Sequence, residues 1–233
     1  MSTLSAAAET PVPASAQTPA PTPSPTPAPT PTPIPTPTPE PTPEPTPEPE
    51  DESWKLLLVN ADHPLPEDFT VTLKELRNEQ FVDERIYPEL QQMFDDARAE
   101  GIYPYINESF RTAERQQEIM DKYIARYEDS GLDHDDAVAA AREIVALPGT
   151  SEHQLGLALD IIAENGDSTD TWAWLKENCW RYGFILRYPA DKTEITGISY
   201  EPWHFRYVGA EAAEEIMRSG AALEEYLETA ESP

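Results

Sequence analysis

A proline at nearly every second position decides what the start of this chain can become. Of its 26 prolines, 18 lie between Pro11 and Pro49, and the run PTPSPTPAPTPTPIPTPTPEPTPEPTPEPE offers almost no apolar side chain to bury. Repeated loss of the backbone N–H works against helix and sheet, and the shortage of apolar surface excludes a core. Residues 1–50 are therefore expected to be a disordered Pro/Thr/Glu-rich linker or stalk. In polyproline II, at about 3.1 Å per residue, about 40 residues would reach about 120 Å. Residues 51–233 hold all 5 Trp and all 10 Tyr, which is enough for one core.

Periodicity within that part predicts an α+β domain. WKLLLVN at Trp54–Asn60 reads as a short strand closed by the turn-forming ADHPLPED. From Arg85 to Glu100, Ile86, Leu90, Met93, Phe94 and Ala97 recur at helical spacing until Gly101. Tyr105–Phe110 looks extended, and helices are expected from Arg111 onward and over Asp133–Ala146. LGLALDII then reads as a buried strand, TDTWAWLKENCWRYG as a helix, FILRYP and WHFRYVG as strands, and Ala210–Leu227 as a helical tail. Strands without regular βαβ alternation favour a small sheet flanked by helices over a doubly wound fold.

Charge and cysteine usage narrow the function. A formal net charge of −28 excludes a polyphosphate partner, because nucleic-acid affinity comes from Lys and Arg neutralising phosphates. The lone Cys179 rules out an internal disulfide, and its apolar setting marks it as a buried structural thiol. No run of 18 apolar residues occurs, and MSTLSAAAET has neither a basic nor an apolar signal region. The Pro/Thr spacer nevertheless suits a protein tethered at one end, so a membrane anchor or export segment outside this sequence is expected.

Only four histidines occur, and His63 and His134 sit in polar turn sequence. The other two lie in SEHQLGLALD and EPWHFRY. Catalytic zinc takes three protein ligands, mostly imidazole with an occasional carboxylate, and leaves a position for water. His153, Asp160 and His204 would form such a set. Glu201, three residues before His204, would stand where a general base is needed, on a turn leading into a strand.

These segments resemble the VanY-type D-alanyl-D-alanine carboxypeptidases, a group of zinc peptidases that includes VanX-type D,D-dipeptidases and L,D-carboxypeptidases and whose fold resembles the Hedgehog signalling domain. The likeness runs through WKLLLVN with HPLP, SFRTAERQQEIM, PGTSEHQLGLALDI, YGFILRYPADKTEITGISYEPWHFRYVG and LEEYL. It implies one Zn2+ per chain held by His153, Asp160 and His204, with Glu201 as catalytic base. It implies that Arg111 binds substrate and stabilises charge on the scissile carbonyl, and that Gln117 and Ser151 line the substrate site. Arg187, Tyr188 and Trp203 are expected either to shape the pocket or to pack beneath it. The implied substrate is the D-alanine end of peptidoglycan stem peptides, acted on outside the cytoplasm at the cell wall by a monomer. Within the family, an L,D-carboxypeptidase or a D,D-dipeptidase is the alternative. Outside it, the alternative is a silent wall-binding module with structural zinc. Structural sites are usually closed by a fourth protein ligand, and Cys179 lies apart from the ligand segments.

Overall fold

The computed structural model describes residues 51–230; the stalk expected over residues 1–50 lies outside them. A hairpin of β1 (Leu73–Glu75) and β2 (Phe81–Asp83) precedes α1 (Tyr87–Ala99). The chain continues through β3 (Pro104–Glu108), α2 (Ala113–Asp129), α3 (His134–Arg142), β4 (Ala158–Ala163), α4 (Thr169–Asn178) and β5 (Phe184–Leu186). A one-turn helix α5 (Thr193–Thr196), β6 (His204–Tyr207), α6 (Ala210–Ser219) and α7 (Leu223–Ala230) complete it. The main sheet has the order β3-β4-β6-β5, with every neighbouring pair antiparallel. The expected α+β class, a small antiparallel sheet flanked by helices, is what the chain forms.

Period-two alternation gives the sheet two unlike faces. Leu159 and Ile161 of β4, Phe184 of β5, and Phe205 and Tyr207 of β6 enter the main core against Leu90, Met93 and Phe94 of α1 and Leu175 of α4. The intervening residues Asp160, His204 and Arg206 are therefore carried on the opposite face. They are buried there all the same. Ile185 joins a second cluster with α6 and α7, and α2 packs on α3 through Met120 and Ala141.

Helix ends follow local chemistry. The Thr112 side chain accepts from the Arg115 N–H at the start of α2, and Asp133 accepts from Asp136 N–H at the start of α3. α4 runs into a 3-10 turn, Cys179–Tyr182, which Gly183 ends at φ 79°.

Two expectations are corrected. Trp54–Asn60 is no strand: Ser53–Leu56 forms a 3-10 turn and the rest is irregular. The Arg206 guanidinium donates to the Lys55 and Leu57 carbonyls at 3.0 and 2.9 Å, so a buried side chain stands where a strand partner would. The side chains meanwhile divide between two cores, Trp54 and Leu57 on one and Leu56 and Leu58 on the other. The C-terminal segment is two helices, broken where Gly220 takes φ 69°.

Candidate metal centre

The ladder register builds the site. Asp160 of β4 pairs directly with His204 of β6, and on its other side with Glu108 of β3. A bulge between Ile106 and Glu108 places Glu108, rather than Asn107, opposite Asp160. His153 arrives from a 3-10 turn, Glu152–Leu155, that Gly156 terminates at φ 74°. A Cβ at position 156 would lie 2.9 Å from the Asp83 backbone nitrogen. Only glycine lets the turn close so tightly against β2.

One ligand atom each from His153, Asp160 and His204 falls within 4.8 Å of the others. His153 Nε2 and His204 Nδ1 each stand 3.4 Å from Asp160 Oδ1. The opposite nitrogen of His153, Nδ1, is 2.7 Å from the Ser109 carbonyl, which accepts its N–H and leaves the Nε2 lone pair facing the centre. Asp160 Oδ2 accepts from Arg111 Nη2 at 3.0 Å, while Oδ1 is buried with no hydrogen-bond partner among the described residues. A solvent-shielded, unsatisfied carboxylate oxygen between two imidazole nitrogens fits a divalent cation.

The electrostatics agree. Burial alone would lower the His204 pKa, but Asp160, Glu152 and Glu201 outweigh it and hold the imidazole well above its usual range. His153 moves the other way, lowered by burial and by the Arg111 charge against the pull of Asp160. Burial would raise Asp160, yet the two histidines hold its carboxyl below the ordinary range. The pocket thus draws positive charge to one point, where a metal ion would replace the proton.

Glu201 lies in the turn before β6 with Oε2 3.3 Å from His204 Nδ1. Arg111 precedes the α2 cap and donates to Glu108 Oε2 and Asp160 Oδ2, each at 3.0 Å, and more weakly to Gln116 Oε1 at 3.4 Å. Ser151 is buried at the cleft, and Tyr188 and Trp203 line it. Gln117 does not reach it: that side chain is exposed and bonded to Asp121, and the buried neighbour Gln116 takes the place expected of it. The helical phase decides this, since adjacent residues point about 100° apart. His63 and His134 are exposed, and Cys179 is buried in the main core.

Sequence reasoning missed Glu152. Its side chain is fully buried between Arg187 and Arg206, and its Oε2 is 3.6 Å from His204 Nε2. Burial would raise its pKa, but the two guanidinium groups overcome that and keep it ionised. The available signal was a Glu directly beside a ligand histidine with two later Arg in strand sequence. Arg187 packs beneath the cleft.

A small antiparallel sheet presenting two imidazoles and a carboxylate to one point, with a second carboxylate alongside, is the arrangement that a mononuclear zinc hydrolase centre requires. Residues 79–210 match the VanY D-alanyl-D-alanine carboxypeptidase family, and the chain belongs to that family of zinc carboxypeptidases. A D-alanyl-D-alanine carboxypeptidase of Enterococcus faecalis is 53% identical over 182 residues, covering 77% of this chain and 68% of the relative. Among solved structures, VanYB in complex with D-alanine-D-alanine is 53% identical with a TM-score of 0.74, covering 76% of this chain and 98% of that one. A variant of the vancomycin-resistance D,D-pentapeptidase VanY in complex with Zn(II) has a TM-score of 0.73 at 53% identity, covering 75% of this chain and 99% of that one. Among the described residues no helix is long and apolar enough to cross a membrane.

Proposed function

We propose that the cleft removes the terminal D-alanine from peptidoglycan stem peptides outside the cytoplasmic membrane. His153, Asp160 and His204 hold the zinc, Glu201 is general base and then acid, and Arg111 and Ser151 contact substrate, with Gln116 in the place of Gln117. The reading includes a domain over residues 51–233, acting as a monomer on a stalk formed by residues 1–50. The observation that carries it is the Glu201 carboxylate 3.3 Å from the inward nitrogen of His204.

Bound zinc supplies Lewis acidity toward the scissile carbonyl and makes hydroxide available at about pH 7. Glu201 takes a proton from the attacking water and delivers it to the amine nitrogen as the C–N bond breaks, so that D-alanine leaves as a neutral amine rather than an amide anion. Arg111 has five N–H groups, and its three protein contacts leave donors for the terminal carboxylate or the developing oxyanion. In a chain of net charge −28 such a fixed cation is needed to admit an anionic peptide end. The cleft, about 130 Å³, is lined by Ile119, Val145 and Ile198 as well as by its polar groups. Such a wall suits alanine methyl groups.

The test is E201Q. It should retain one zinc per chain and lose turnover of a D-Ala-D-Ala-ending pentapeptide by at least about 100-fold. Undiminished turnover would remove Glu201 from the mechanism. The same assay with a tetrapeptide ending in an L,D bond separates the readings, since exclusive release from it would make the enzyme an L,D-carboxypeptidase.

A further inference from the structure

We infer that Glu152 is a positioning residue for the metal centre, and that Arg187 and Glu224 link it to the C-terminal helix α7. The inference rests on His204 being a ligand through Nδ1. Glu152 Oε1 accepts from Arg187 Nε at 2.7 Å and from Arg206 Nη1 at 2.9 Å. Among the described residues its Oε2 has no hydrogen-bond partner, and neither has His204 Nε2, although both atoms are shielded from water and face each other across 3.6 Å. Two complementary groups thus stand a few tenths of an ångström outside hydrogen-bond range, each without another partner.

A purely structural carboxylate between two buried guanidinium groups would satisfy both oxygens on them. This one turns an oxygen to the ring instead. When His204 Nδ1 ligates a cation, Nε2 carries the proton and needs an acceptor, and Oε2 is the group placed to serve. That bond fixes the ring's tautomer and orientation and raises the basicity of the ligating nitrogen. Tyr188 holds the same ring edge-on at 4.7 Å.

The network continues outward. Arg187 Nη1 and Nη2 donate to the two oxygens of Glu224 in α7 at 2.9 and 2.6 Å, and Asn60 Nδ2 donates to the same carboxylate at 3.2 Å. Two glutamates and two arginines balance, so the network, which is buried except at Glu224, carries no net charge. A line α7–Glu224–Arg187–Glu152–His204 therefore runs from the last helix to the inward face of β6, and α7 becomes part of what aims the ligand.

The experiment measures zinc affinity by chelator competition, together with 15N and 1H spectra of the histidine rings in the zinc-loaded full chain. Wild-type His204 should carry its proton on Nε2, in slow exchange with solvent. E152Q should weaken zinc binding by about 10- to 100-fold and speed that exchange, because the amide would turn an N–H toward the ring N–H. E224Q keeps Glu152 paired with both arginines, so it should fold and lose less than about tenfold. A proton on Nδ1 of His204, or wild-type affinity and exchange in a folded E152Q, would overturn the inference. Should E152Q fail to fold, wild-type affinity and exchange in E224Q would overturn the α7 link, and the wild-type spectrum still decides the Glu152 contact. H204A keeping its zinc would refute the ligand reading itself, a distinct failure.

Discussion

Asp160 and His204 are direct partners in the β4–β6 ladder, so the position of two proposed ligand atoms is a property of sheet register rather than of a loop. A one-residue slip of either strand would turn its own side chain, Asp160 or His204, into the hydrophobic face. The burial of Leu159, Ile161, Phe205 and Tyr207 on that face holds the register.

From that pairing, D160N should keep the fold and lose the metal. The amide preserves shape and the bond from Arg111, but it removes the charge of an oxygen 3.4 Å from both imidazoles. Zinc affinity is expected to fall by at least about tenfold, or about 1.4 kcal/mol. Equal chelator-competition curves for D160N and wild type would exclude Asp160 as a ligand.

G156A should unfold more easily. The residue sits at φ 74°, and its added Cβ would lie 2.9 Å from the Asp83 nitrogen. That nitrogen donates to the Gly156 carbonyl, so the two segments cannot simply separate. A loss of more than about 1 kcal/mol is expected in urea denaturation. An unchanged midpoint would show that the turn carrying His153 adapts.

Much of the site was legible because its chemistry is written in local sequence. His153 and Asp160 are joined by small residues, and Glu201 by a turn to His204. The strands LGLALDII and WHFRYVG were recognisable because their apolar residues alternate or cluster as a half-buried sheet requires. What escaped was long-range. Nothing near Trp54–Asn60 announces that Arg206, about 150 residues later, will take its carbonyls. Gln116 and Gln117 are chemically identical, and only the phase of α2 selects the inward one. Glu152 depends on Arg187, Arg206 and Glu224, whose meeting follows from tertiary packing alone.

Cys179 should resist modification in the folded enzyme. Burial pushes its thiol up to about 12 from the ordinary 9.0. The folded state holds this proton more tightly than the unfolded chain, so its contribution to stability is complete below 9.0 and is lost as pH rises toward about 12. Alkylation by iodoacetamide at pH 8 is expected to be at least about 100-fold slower than in urea, because both thiolate fraction and access fall. Similar rates in both states would place the thiol at the surface.

Arg111 offers the prediction with the most discriminating readout, because the guanidinium has two tasks. Its Nε and Nη2 hold Glu108 and Asp160, each at 3.0 Å, and through Asp160 it steadies a proposed ligand. In the proposed mechanism the remaining donors are offered to the substrate. Lysine is a point charge that cannot span both carboxylates and still present donors to the cleft. R111K should therefore lower kcat/KM for a D-Ala-D-Ala-ending peptide by at least about tenfold, about 1.4 kcal/mol. It should also weaken zinc binding, by a smaller factor than D160N does. The substrate task is isolated by measuring at saturating zinc, where the metal effect vanishes and any remaining loss belongs to the peptide. A C-terminally amidated peptide, lacking the anion, should be poorly cut by the wild type and should lose little further in R111K. If amidated and free-acid peptides are cut equally by the wild type, the enzyme does not read the terminal carboxylate, and any loss in R111K at saturating zinc belongs to the developing oxyanion.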